Sequence, residues 1–130
     1  MEQKKHTLID VTKFGEVGVV SFTTTQVLDE LNVQQLGQEL MDLVDKQYIV
    51  KMVINFEHVK FLSSAVLGKL ISLSKRIAEE KGRLAFCNIR EEILQVFKIT
   101  RLDKIIPIAE SEGDAIKMVQ KGGGFSLFGR

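Results

Sequence analysis

Apolar residues recur along this chain in two rhythms, and the changes of rhythm divide it into elements. Residues 7–22 predict a β-hairpin, with Leu8, Ile9 and Val11 before a turn at Lys13-Phe14-Gly15 and Val17, Val19, Val20 and Phe22 after it. The stretch Thr23–Leu28 has no clear rhythm, since β-branched threonines suit a strand end or a helix start, and it is read as a connection. From Asn32 to Asp45, Val33, Leu36, Leu40, Leu43 and Val44 fall at helical spacing, with Asn32 placed to act as N-cap. Ile49–Phe56 is nearly all apolar and rich in β-branched residues, as a strand covered on both faces should be, and is assigned the centre of a sheet.

A second amphipathic helix is predicted over Ser64–Lys81, with Val66, Leu67, Leu70, Ile71, Leu73, Ile77 and Ala78 on its apolar side and Gly82 at C′. There follow a strand at Leu84–Asn88, a helix at Glu91–Lys98, a strand at Ile105–Ile108 and a helix at Gly113–Gln120. Strands and helices alternate from residue 32 onward, which points to an α/β layered domain whose opening hairpin adds antiparallel strands to a mostly parallel sheet. With 130 residues there is material for one core, so a single domain over 1–120 is expected. Residues 121–130 (Lys-Gly-Gly-Gly-Phe-Ser-Leu-Phe-Gly-Arg) read as a flexible tail, in the plain reading a frayed terminus and in the sharper one a tether whose Phe125, Leu127 and Phe128 form a small apolar plug for a partner or a second copy.

Composition narrows the function classes. Apolar residues at 45% and charged residues at 27% describe an ordinary globular chain, and a net charge of +1 without basic clusters argues against nucleic acid as a partner. Neither a signal-peptide core nor a run of about 18 apolar residues is present, so no membrane span and a cytoplasmic location are expected. The one cysteine, Cys87, follows Leu84-Ala85-Phe86 and is expected to be a small buried thiol.

Catalytic constellations are missing. His6 and His58 have no second ligand at zinc-site spacing, the acidic neighbours Glu79-Glu80 and Glu91-Glu92 diverge around their helices, and Gly122–Gly124 follows the last helix where a phosphate loop would precede one. No enzyme, metal or cofactor is expected. The junction from Glu57 to Ile71 differs, because Ser63 and Ser64 stand where a helix begins. A serine there caps the helix, and a phosphate there would bring a charge of about −1.5 to −2 against unsatisfied N–H groups and the positive dipole end.

Two stretches resemble the STAS domains of bacterial anti-sigma factor antagonists. Met52–Gly68 is similar to the family's apolar strand, short loop and Asp-Ser-Ser-Gly-x-Gly-type helix start, and Ile93–Ile106 to its Phe-x-x-(Ser/Thr)-x-Leu segment before the last strand. Leu62 stands at the family's Asp and Ala65 at its Gly. The resemblance implies helices packed mainly on one face of a mixed sheet, and a partner that is an anti-sigma factor with serine kinase activity. It further implies that Ser63, with Ser64 as alternative, is phosphorylated by that kinase and restored by a phosphatase. The contact surface would comprise His58, Lys60, Leu62, Ser63, Ser64, Ala65, Leu67 and Gly68. The competing expectation is a scaffold or accessory subunit of a stress-signalling or lipid-transport assembly, with serines that only cap. A homo-oligomer formed through the tail is a further expectation.

Overall fold

The structure, a computed structural model, describes residues 8–23, 26–27 and 30–121. The predicted hairpin forms from strands β1 (Ile9–Phe14) and β2 (Val17–Phe22), paired antiparallel from Ile9↔Phe22 to Phe14↔Val17. Its two-residue turn starts at Gly15, whose φ of 62° is one that glycine adopts without steric cost. Strand β2 also pairs, in parallel, with the apolar strand β4 (Lys51–Asn55), and β4 pairs in parallel with β6 (Arg83–Cys87). A two-residue β7 (Ile108–Ala109) closes the order β1-β2-β4-β6-β7. The strand expected at the centre is there.

Both faces of this sheet are covered. Met52 and Ile54 of β4 point into a large core with helices α1 (Glu30–Asp45), α2 (Ser64–Glu79) and α3 (Glu91–Ile99), which contribute Leu36, Leu40, Leu70, Leu73, Ile93 and Phe97. Val53 points the other way, into a smaller cluster with Val17, Val19, Ala85, Cys87 and the α4 (Glu112–Lys121) residues Ala115 and Val119. Three helices share one face and α4 takes the other, where small side chains let it approach the sheet closely. Within the large core, Phe56 touches three rings, with centroids 5.4 Å from Phe22, 4.9 Å from Phe86 and 5.8 Å from Phe97.

Four local expectations need correction. Part of the connection at 23–28 is a strand, because Gln26–Val27 (β3) pairs in parallel with Phe61–Leu62 (β5), a partner 35 residues away that local rhythm cannot disclose. Helix α1 starts at Glu30, so Asn32 lies inside its first turns and is no N-cap. Gly82 is not the left-handed residue at the end of α2; Lys81 is, with φ 60°, while Gly82 N–H donates to the Ile77 carbonyl at 2.9 Å and Lys81 N–H to Ala78 at 2.9 Å. This is the Schellman pattern, shifted one residue. Glycine is needed at 82 because a Cβ would collide with the Val50 carbonyl oxygen, which accepts the Arg83 N–H at 2.8 Å.

The strand expected at 105–108 is mostly something else. Arg101, at φ 64°, turns the chain into a 3-10 turn at Leu102–Lys104, and the N–H groups of Ile105 and Ile106 both donate to the Leu102 carbonyl at 2.9 Å. Leu102 and Ile106 are buried at one-turn spacing, so the apolar run there is helical in rhythm. Pro107 has no N–H to give a ladder, and β7 begins only after it. The tail from 122 onward, and the homo-oligomer expected through it, lie outside the described residues.

Candidate functional site

The chain leaves the end of β4 at the same edge of the sheet where α4 begins, and a short polar relay holds the turn. Asn55 is nearly buried; its Oδ1 accepts the Glu57 N–H at 2.8 Å and its Nδ2 donates to Glu112 Oε1 at 2.8 Å. The Phe56 N–H donates to the Cys87 carbonyl and the Val59 N–H to the Phe56 carbonyl, each at 2.9 Å. Val59 is buried, which leaves Glu57, His58 and Lys60 outside. The chain then runs through β5, held by β3, into α2.

Ser63 ends this path in extended backbone, with φ −86° and ψ 164°. Its Oγ accepts the Val66 N–H at 3.2 Å and its carbonyl accepts the Leu67 N–H at 3.2 Å, so it is the N-cap of α2. The residue is half-buried, while Ser64, Ala65 and Gly68 are exposed along the first turns. No acidic residue occupies that first turn, so the positive end of the helix dipole faces solvent without a fixed counter-charge of its own. A Cβ at Gly68 would meet nothing within 4 Å, which keeps this face low and open.

The expected contact residues therefore divide. His58 and Lys60 on the loop and Ser64, Ala65 and Gly68 on the helix are exposed, and Ser63 sits between the two groups. Leu67 departs from the expected set: it is only 7% exposed and packs into the large core, as its place beside Val66 and Leu70 on the apolar side of α2 dictates. Leu62 is half-buried and also rests against that core, so its side chain anchors the loop. Sequence reasoning missed the Asn55–Glu112 hydrogen bond and the β3–β5 pair; an amide directly after the apolar run Met52–Ile54 is the one sign of the first.

Cys87 lies under the same edge, and burial, then the charges of Glu112 and Glu57, push its thiol up to about 12, well above the ordinary thiol range. It remains a neutral thiol. Among the described residues no group of three or more His, Cys, Asp or Glu side chains could hold a metal ion, and no helix is long and apolar enough to cross a membrane. The arrangement offers an exposed helix start capped by a half-buried serine hydroxyl.

The STAS domain family matches residues 9–115. This chain belongs to that family. A candidate anti-sigma factor antagonist of Bordetella bronchiseptica, BtrV, is 29% identical over 85 residues, covering 65% of this chain and 72% of that protein. A crystal structure of a candidate anti-sigma factor antagonist from Thermotoga maritima superposes with a TM-score of 0.76 at 20% identity, covering 86% of this chain and 94% of that one. The phosphorylated form of the Bacillus cell-fate determinant SpoIIAA gives a TM-score of 0.65 at 20% identity, covering 85% and 98%. At these identities the two structures establish the STAS fold. Within this STAS domain, the capped turn at Ser63 lies between the central strand and the helix that follows it.

Proposed function

We propose that this STAS domain is an anti-sigma factor antagonist, a regulatory protein that works by binding an anti-sigma factor of the serine-kinase type at the start of α2. Ser63 is the phosphoacceptor, and a phosphatase restores it. The observation that carries the reading is the cap: the Ser63 oxygen already faces the backbone N–H groups of an exposed helix start. A phosphate on that oxygen is accommodated by the fold, because its charge meets N–H donors and the dipole. A partner that had covered Ser64, Ala65 and Gly68 would then have to desolvate a dianion. Binding is lost while the domain stays folded. Ser64 is one residue into the helix and caps nothing, which makes it the weaker acceptor. The names of the Bordetella and Thermotoga relatives and the phosphorylated state of the Bacillus one support the same reading.

Affinity capture from the native cell followed by phosphopeptide mapping tests the partner and the serine together. The expected result is a serine kinase recovered with the wild type and lost with Ser63→Asp. Equal capture by both forms would end the switch reading. A large assembly carrying no phosphate on Ser63 or Ser64 in cells would point instead to a scaffold or accessory subunit.

A further inference from the structure

The far end of the sheet, where the parallel strands begin, carries a second surface. Strand β7 pairs only with Phe86 and Cys87, so Leu84 and Ala85 of β6 have no strand beside them on that side among the described residues. The Phe86 N–H points to this side, donating to the Pro107 carbonyl at 2.9 Å, and by the alternation of a strand the Leu84 peptide groups point there too. A hollow of about 260 Å³ opens at this place, walled by Ile77, Ala78, Leu84, Ile105, Pro107 and Met118. Met118 also walls an adjoining hollow of about 410 Å³ beside Ile108. At the rim Ile105 is 59% exposed and Met118 39%. Together these make a groove along an open strand edge, with an apolar floor of Ile77, Leu84, Ile105, Pro107 and Met118 flanked by Ser74 and Arg83 and, beside Ile108, by Glu110, Asp114 and Lys117.

The same helix that supplies Met118 leads into Gly122-Gly123-Gly124-Phe125-Ser126-Leu127-Phe128. Lys121 lies about 4.5 Å along the helix axis from Met118. The four steps from Lys121 to Phe125 span up to about 14 Å, and three glycines place no side chain in the way of a reversal. Phe125 is therefore within reach of the groove. One aromatic ring needs a cavity of about 150 Å³, so the hollow takes a ring with space for a neighbour. We propose that Phe125, Leu127 and Phe128 fold back within the same chain and cover this groove, shielding the open edge of β6. The short connection favours the chain's own tail over a second copy, because it sets an effective concentration in the millimolar range that dilute molecules do not match. This surface is at the opposite end of the strands from Ser63, and the proposal stands independently of the partner assigned there.

The test is an NMR comparison of the full chain with its Phe125→Ser/Leu127→Ser/Phe128→Ser variant, with methyl labels on Met118 and Ile105. The expected result is a set of cross-relaxation peaks from the phenylalanine rings to both methyls in the wild type. These should persist when labelled protein is diluted with unlabelled protein, and vanish in the variant with a shift of both methyl signals. Peaks seen only between labelled and unlabelled copies, with a doubled mass in solution, would overturn folding-back in favour of a dimer. Methyl signals unchanged in the variant, with no ring contacts in the wild type, would overturn docking altogether.

Discussion

Replacing Ser63 with alanine removes the oxygen that accepts the Val66 N–H at 3.2 Å and leaves that donor at the start of a 16-residue helix without its side-chain partner. Loss of a serine cap costs about 1 kcal/mol, within a range of about 0.5–2. The half-buried setting of Ser63 limits replacement by water and places the expected cost at or above the middle of that range. For a domain of this size about 1 kcal/mol corresponds to a fall in Tm of about 3–6 °C. Thermal unfolding followed by circular dichroism reads this directly. Two companions sharpen the measurement. Ser63→Asp keeps a capping acceptor, since aspartate caps as well as serine, and should unfold within about 0.5 kcal/mol of the wild type. Ser64→Ala touches an exposed residue beyond the cap and should do the same. Ser63→Ala unfolding with the wild type, or Ser64→Ala losing as much stability as Ser63→Ala, would refute the assignment of Ser63 as the cap. Because Ser63→Asp leaves the fold intact, any partner binding it abolishes is lost at the surface.

Gly82→Ala should destabilise by about 1–3 kcal/mol, the range for forced overpacking, because its Cβ would meet the Val50 carbonyl; Gly68→Ala, with open space around it, should stabilise by about 0.5–1 kcal/mol. Urea midpoints of the pair decide this, and equal behaviour would contradict the close fit at Gly82. Cys87, buried with its thiol pushed up to about 12, should react with a maleimide at pH 8 only as the chain unfolds, so rapid labelling of the native protein would place it elsewhere. Since the unfolded thiol ionises near 8.5, the folded state holds the extra proton between there and about 12. Stability measured by denaturant should fall as pH rises through that window, and Cys87→Ala should flatten this slope.

The layered fold was legible because its central pieces are loud: Ile49–Phe56 is too apolar for anything but a covered strand, and Ser64–Lys81 alternates apolar and charged residues at helical spacing. What stayed hidden depends on distant partners. Gln26–Val27 becomes a strand only because Phe61–Leu62 lies beside it, and the close fit at Gly82 depends on a carbonyl 32 positions earlier. At 105–108 two isoleucines imitated a strand while their backbone closed a turn on Leu102. At the site, the capping role of a serine before a helix could be read locally. The division of its neighbours into outward and inward groups was only half legible: helical spacing already put Leu67 inside, and taking it as a contact residue set sequence proximity above the geometry of the helix.

The fit at Gly82 reaches further than its own corner. Arg76 ties the last turns of α2 to Asp45 at the end of α1, at 2.9 Å, and Gly82 N–H holds the Ile77 carbonyl while Arg83 locks onto Val50. At the other end, about 24 Å away along the axis, Ser63 and the β3–β5 pair hold the first turn. A rod fastened at both ends cannot slide, so the height at which the Ser63 hydroxyl stands above the sheet is gauged from the opposite pole of the domain. If a partner docks there as proposed, recognition begins from a position already fixed, and little order has to be created on binding.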